Sequence, residues 1–334
     1  MGLLKYFLGI EVHQSEYGVF ISQSKYAEKV LKKFGMLGCN PTSTPLVVNE
    51  KLKKDDGGRK VDETYYRGLI GNFLYLTHTR PDIMFASSML SRFTSSPSHL
   101  HLGAEKRLLR YIQGTMNFGI MYSINLDVKL VGYCDSDLGG CIDDMKSTSG
   151  YAFSLGSGIF TWASKKQETV AQSTAEAEYI SASIATSHVV WLRRIMKDIQ
   201  EKQEESTVIF CDNKSTIAMS KNSVENCRAR HIKFKYHFIR EAVEDGEIEL
   251  NYVVGVGHPQ VVRSFVDQVE ELVLSLQLSE RERALVSAEP LQGVATEGFA
   301  DSTVVSLATA APSYGCKFHV VVPDAAAMEK RLEM

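Results

Sequence analysis

An α/β fold with a mixed sheet is predicted for residues 126–254, and three observations predict it. Five short apolar segments read as strands: "KLVGYCDSD", "SGYAFSLG", "IFTWASKK", "TVIFCDN" and "EIELNYVV". They occur in the order three strands, helix, strand, helices, strand, which suits one sheet with helices packed on it. The long segment 173–199 carries an apolar stripe at helical spacing.

The elements follow in order along the chain. Residues 1–22 read as a hairpin, "YFLGIEVHQ" and "VFISQ" around a turn at "SEYG". "SKYAEKVLKKFGM" is a short amphipathic helix closed by Gly35 or Gly38. Two prolines and "KKDDGGRK" make residues 40–60 a loop. Residues 62–114 read as two or three helices, one with Pro81 in its first turn and one ending at Gly114. A boundary is expected near 124–128, so residues 1–125 form a helix-rich, strand-poor region. In the second region "GSG", 156–158, suits a hairpin turn. Segment 255–292 reads as a helical joint, with Val262, Phe265, Val269, Leu272 and Leu276 at helical spacing. Residues 293–334 form a final segment, with a helix expected at about 302–313 and a strand at "KFHVVVP".

The 334 residues carry a net charge of −3, which argues against a uniformly basic nucleic-acid coat. Six cysteines without a C-x-x-C pair disfavour a zinc ribbon or a disulfide scaffold. They fit a reducing, intracellular compartment, cytoplasmic or nuclear. No apolar run approaches the roughly 18 residues of a membrane span, so no membrane partner is expected.

"STAEAEY", Ser173 to Tyr179, opens the long helix with two carboxylates two residues apart. Such positions point about 200° apart on a helix, so only one can face the core. From Glu178 the helical stripe is Ala182, Ala185, Val189, Leu192 and Met196, the apolar one. Glu178 is therefore placed on the core face and Glu176 toward solvent. Asp135 lies at the end of one strand and Asp212 at the end of another. Three carboxylates gathered at strand ends repel one another unless cations sit between them. Hard oxygen ligands suit Mg²⁺ or Mn²⁺. Two such ions roughly 3.5–4 Å apart make a phosphodiester-cleaving site.

At this point the text resembles a known family. "GYCDSDLGGCIDDMKSTSGYAFSLGSGIFTWASKKQETVAQSTAEAEY", "CDNKSTIAMSKN" and "RARHIKFKYHFIRE" are similar to the ribonuclease H region of copia-type retrotransposon polyproteins. "LKYFLGIEV", "TRPDIMFASSMLSRF" and "HLGAEKRLLRYIQGT" resemble the C-terminal end of that element's reverse transcriptase and its connection. The resemblance covers about residues 2–253. It implies a ribonuclease H-like mixed five-stranded sheet with flanking helices, preceded by a helix-rich reverse transcriptase remnant. It also implies a metal-dependent endonuclease acting on the RNA strand of an RNA–DNA hybrid. Asp135, Glu178 and Asp212 match the family's catalytic and metal-binding Asp, Glu and Asp.

Three departures stand out. The polymerase's own Asp pair lies upstream in this family and is absent here, so DNA synthesis is not expected. Leu138 stands where the family often has Trp, a packing change. The family closes with a segment of the type "ADIFTKPL" carrying a fourth catalytic Asp. Here the text is "VVGVGHPQVVRSFVDQ", Val261 falls at that position, and Asp267 is out of register. The resemblance thus implies a site short of one ligand, with weak or no cleavage. An inactive nucleic-acid-binding remnant is the alternative.

Residues 228–240, "RARHIKFKYHFIR", hold Arg228, Arg230, Lys233, Lys235 and Arg240 with no acid, which suits phosphate contacts to a hybrid. The tail, residues 293–330, resembles a fragment of plant cysteine synthase-like pyridoxal-phosphate enzymes. Asp301 interrupts the loop that would grip a substrate carboxylate, and the Schiff-base lysine segment is missing. Pyridoxal phosphate is therefore disfavoured, and the chain reads as a chimaera.

Overall fold

The computed structural model describes residues 5–47, 50–124, 128–221, 233–253, 294–296 and 331–333, the last two spans and 233–237 by backbone only. Met1–Phe265 form one compact unit and Val266–Met334 a second. In the second, β10 (Val294–Thr296) and β11 (Arg331–Glu333) pair antiparallel. The joint at 255–292, the tail helix and the "KFHVVVP" strand lie outside the described residues.

The first part of the larger unit begins with a hairpin. β1 (Tyr6–Phe7), β2 (Ile10–Ser15) and β3 (Gly18–Ser22) run antiparallel, with Ser15 opposite Gly18 at the turn. β4 (Gly119–Ser123) then pairs along the whole of β3, making a four-stranded sheet in the order β1-β2-β3-β4. This corrects the expected strand-poor region. "GIMYS" is too short to show a period, and its pairing depends on a partner far away in sequence.

Helices α1 (Ser24–Lys33), α2 (Glu63–Leu76), α3 (Met84–Ser91) and α4 (His99–Gly114) fill the rest, with a 3-10 turn at Pro81–Ile83. α2 starts where the Asp62 side chain accepts from Tyr65 N at 2.6 Å. α4 starts with a reciprocal cap: Ser98 Oγ accepts from His101 N, and Ser98 N donates to His101 Nδ1 at 3.0 Å. Tyr66, Leu69, Phe73, Leu108 and Leu109 are the heart of this core.

Two charged features interrupt it. Arg80 and Asp82 are buried together, with Nε to Oδ1 at 2.8 Å. Glu105, on α4, is fully buried, and neither carboxylate oxygen is hydrogen-bonded among the described residues. Burial pushes its carboxyl up from 4.5 to about 9. The folded state then holds a proton that the unfolded chain releases. The stability contributed by the neutral form is complete below about 4.5 and is lost as pH rises toward 9. Glu105→Leu is expected to stabilise the protein at pH 8 by about 2–3 kcal/mol and by much less at pH 4. Thermal melts at the two pH values check this, and a gain independent of pH would count against it.

The second part is a five-stranded sheet in the order β7-β6-β5-β8-β9. β5 (Leu130–Ser136), β6 (Thr148–Leu155) and β7 (Gly158–Lys166) run antiparallel, joined between the last two by the expected turn with Gly156 at φ 62°. β8 (Thr207–Cys211) adds parallel to β5, and β9 (Ile248–Tyr252) parallel to β8. α5 (Thr174–Asp198) lies on one face, with α6 (Lys214–Lys221) and α7 (Lys233–Glu244) beside it. Gly132, in mid β5, is required by close packing: a Cβ there would stand 2.3 Å from the Phe153 ring.

The core-facing stripe of α5 is the expected one, since Glu178, Ala182, Ala185, Val189, Leu192 and Met196 are all buried. One expectation on this helix needs correction. Glu176 is buried, 8% exposed, because Ala171, Ala177 and Ile180 form a second apolar cluster on that side. Trp191 is 54% exposed, with its ring 5.4 Å from that of His188. Trp162 is half-buried, and its Nε1 donates to Thr77 O at 3.1 Å, tying β7 to the end of α2. Arg92 Nη2 to Thr148 Oγ1, 2.9 Å, and Tyr122 OH to Ile159 O, 2.8 Å, add to that junction.

Candidate metal centre

Parallel pairing of β5 with β8 sets Tyr133 opposite Phe210. Two residues further along each strand stand Asp135 and Asp212, so both emerge at the same edge of the sheet. α5 brings the third carboxylate from above. Its start is fixed by Ser173 Oγ, which accepts from Glu176 N at 3.2 Å, and by Glu176 Oε2, which accepts from Gln172 N at 3.0 Å. The buried Glu176 is thus a helix cap. Gln167 Nε2 donates to Ala177 O at 3.0 Å and to Ser149 Oγ at 2.8 Å, joining the helix start to the sheet. Ser181 Oγ donates to Asp135 O at 2.7 Å, which fixes the α5 face against β5.

Glu178 sits one turn into α5, and its Oε1 accepts from Ser136 N at 3.1 Å. Its carboxyl is pushed up to about 10, first by burial and then by the charges of Asp135, Cys211 and Asp212. Asp212 is also raised by burial. A Glu178 oxygen, an Asp212 oxygen and the Cys211 sulfur all lie within 4.8 Å of one another. Asp135, 8% exposed, is not one of that compact trio, although its charge reaches Glu178. The structure therefore brings Glu178 and Asp212 together with Asp135 alongside, and adds a thiol that the sequence reading left out. The available signal was position: Cys211 directly precedes Asp212, as Cys134 directly precedes Asp135.

Asp137 is a strut, since its Oδ1 accepts from Thr148 N at 2.6 Å and closes the turn after β5. Of the basic residues, Arg228 and Arg230 lie outside the described residues. Lys233 and Lys235 are placed on the backbone of α7, and Arg240 is half-buried on the same helix. Among the described residues no helix is long and apolar enough to cross a membrane.

Three antiparallel strands extended by two parallel ones, with α5 against the central strand, make this half a ribonuclease H-like domain. The family description "Reverse transcriptase (RNA-dependent DNA polymerase)" matches residues 1–48. The Arabidopsis thaliana retrovirus-related Pol polyprotein from transposon RE1 is 38% identical over 250 residues, 75% of this chain and 17% of the relative. The corresponding polyprotein from Nicotiana tabacum transposon TNT 1-94 is 37% identical over 259 residues, 75% of this chain and 19% of the relative. The N-terminal RNase H domain of a Mycobacterium tuberculosis protein superposes with a TM-score of 0.30 at 14% identity, covering 45% of this chain and 99% of that one. Over 75% of its length the chain is thus homologous to copia-type retrotransposon Pol polyproteins, at 37–38% identity. It spans less than a fifth of the length of these two curated relatives. The resemblance of residues 293–330 to pyridoxal-phosphate enzymes finds no support in these comparisons.

Proposed function

We propose that residues 126–254 are a ribonuclease H-type domain that hydrolyses the RNA strand of an RNA–DNA hybrid, with residues 1–125 as the end of its reverse transcriptase. The observation that carries this reading is the meeting of Glu178 and Asp212 at the sheet edge beside Asp135. These hard oxygen donors fit Mg²⁺ or Mn²⁺, because a carboxyl held protonated first by burial and then by neighbouring charges ionises readily only beside a cation. Bound divalent ions supply an activated water and offset charge on the phosphoryl transition state. Asp135, Glu178 and Asp212 would hold them. Ser136 N–H fixes the rotamer of Glu178, and Gln167 fixes the helix that carries it. Arg228, Arg230, Lys233, Lys235 and Arg240 would contact phosphates, a term that weakens with salt.

The lost fourth Asp predicts weak cleavage in Mg²⁺ and partial recovery in Mn²⁺. The test uses the full chain and a labelled hybrid. Asp135→Asn is expected to abolish cleavage while leaving the fold and salt-sensitive binding intact. Undiminished cleavage by that variant would refute the assignment. A non-catalytic binding remnant is the second reading, favoured by Val261 at the fourth ligand's position. Tight hybrid binding without cleavage in either metal would establish it instead.

A further inference from the structure

The carboxylates share their space with thiols that hydrolysis does not use. Cys211 is fully buried at the end of β8, and its Sγ stands 4.0 Å from Glu178 Oε2. On the neighbouring strand Cys134 is equally buried. Neither is in a disulfide. A tetrahedral zinc ion takes a sulfur at about 2.3 Å and carboxylate oxygens at about 2.0–2.2 Å, which sets neighbouring ligands roughly 3.5 Å apart. The observed 4.0 Å needs only a small side-chain shift to reach that spacing. Carboxylates alone suit hard ions, whereas one thiolate among them shifts preference to softer metals.

We propose that Glu178, Cys211 and Asp212 form a site for a thiophilic divalent cation such as Zn²⁺, which competes there with the hard ion that hybrid cleavage requires. Binding forms a sulfur–metal bond as the Cys211 S–H bond breaks and its proton passes to solvent. Cys134 stays outside the ligand set and packs behind Cys211. The binding claim stands on the donor set alone, and the competition rests on the nuclease reading.

Cobalt(II) is the probe, added to the full chain with a phosphine reductant. The wild type is expected to give a thiolate-to-cobalt charge-transfer band in the near ultraviolet that Zn²⁺ displaces. The band should vanish in Cys211→Ser, persist in Cys134→Ala and need at least tenfold more cobalt in Glu178→Gln. Cys211→Ala, close in volume, replaces the serine variant if that one fails to fold. An undiminished band in both Cys211 variants, or no band in the wild type, would overturn the site. In Mn²⁺-supported cleavage, Zn²⁺ should inhibit the wild type at concentrations at least tenfold below those needed for Cys211→Ser. Equal inhibition of the two would overturn the competition. A cobalt band without any cleavage would sink the nuclease reading and leave the thiol site standing, and cleavage without a band would do the reverse.

Discussion

Glu178→Gln is expected to remove hybrid cleavage and, in the same protein, to raise the melting temperature of the metal-free form. The first effect follows from losing an anionic ligand. Even groups behind the ligands cost about 10–100-fold when removed, and a ligand costs more. The second follows from burial. Glu178 is 5% exposed and its carboxyl is raised to about 10. With a folded value above the ordinary 4.5, stability is complete below about 4.5 and falls as pH climbs toward 10. Glutamine keeps an oxygen for Ser136 N–H and has no charge to lose. The variant should therefore melt several degrees above the parent at pH 8 and close to it at pH 4. Adding Mn²⁺ should stabilise the parent and leave the variant unmoved. Matching pH profiles for the two proteins would refute this account, as would retained cleavage.

Asp82→Ala is expected to be the most damaging single change to the fold. Arg80 and Asp82 are 3% and 5% exposed, with guanidinium and carboxylate joined by bonds of 2.8 and 2.5 Å. Arg80 also donates to Thr115 O at 2.7 Å and lies over the Tyr111 and Phe118 rings. Removing the carboxylate leaves a charge buried without its counter-ion, which costs about 3–5 kcal/mol. For a unit of this size that lowers Tm by roughly 10 °C. Replacing both partners, as Arg80→Met with Asp82→Leu, should recover much of the loss because no charge is then stranded. Calorimetry on both variants decides it, and a double variant no better than the single one would show that the ion pair is not the cause.

Much of the fold was legible because its signals are local. The apolar stripe of α5 identified which of its two early carboxylates meets the sheet, and Glu178 does so. The "GSG" turn and the ends of "YCDSD" and "VIFCDN" located the strands of the second sheet. β4 was not legible, because five residues that pair only with β3 carry no period of their own.

By itself, then, the chain's text determined the order of strands and helices that build the second sheet and the placing of Asp135, Glu178 and Asp212 at element ends. Only the tertiary structure decided what lies between those ends. It turned Glu176 into a buried cap, set Asp135 beside the tightest cluster, and put the Cys211 sulfur within reach of Glu178. Periodicity reports which face of an element is apolar. Distances of 4 or 5 Å between side chains on different elements depend on register, on the packing of α5 and on rotamers held by partners such as Ser136 N–H. Those are properties of the packed whole, and no local stretch of sequence encodes them.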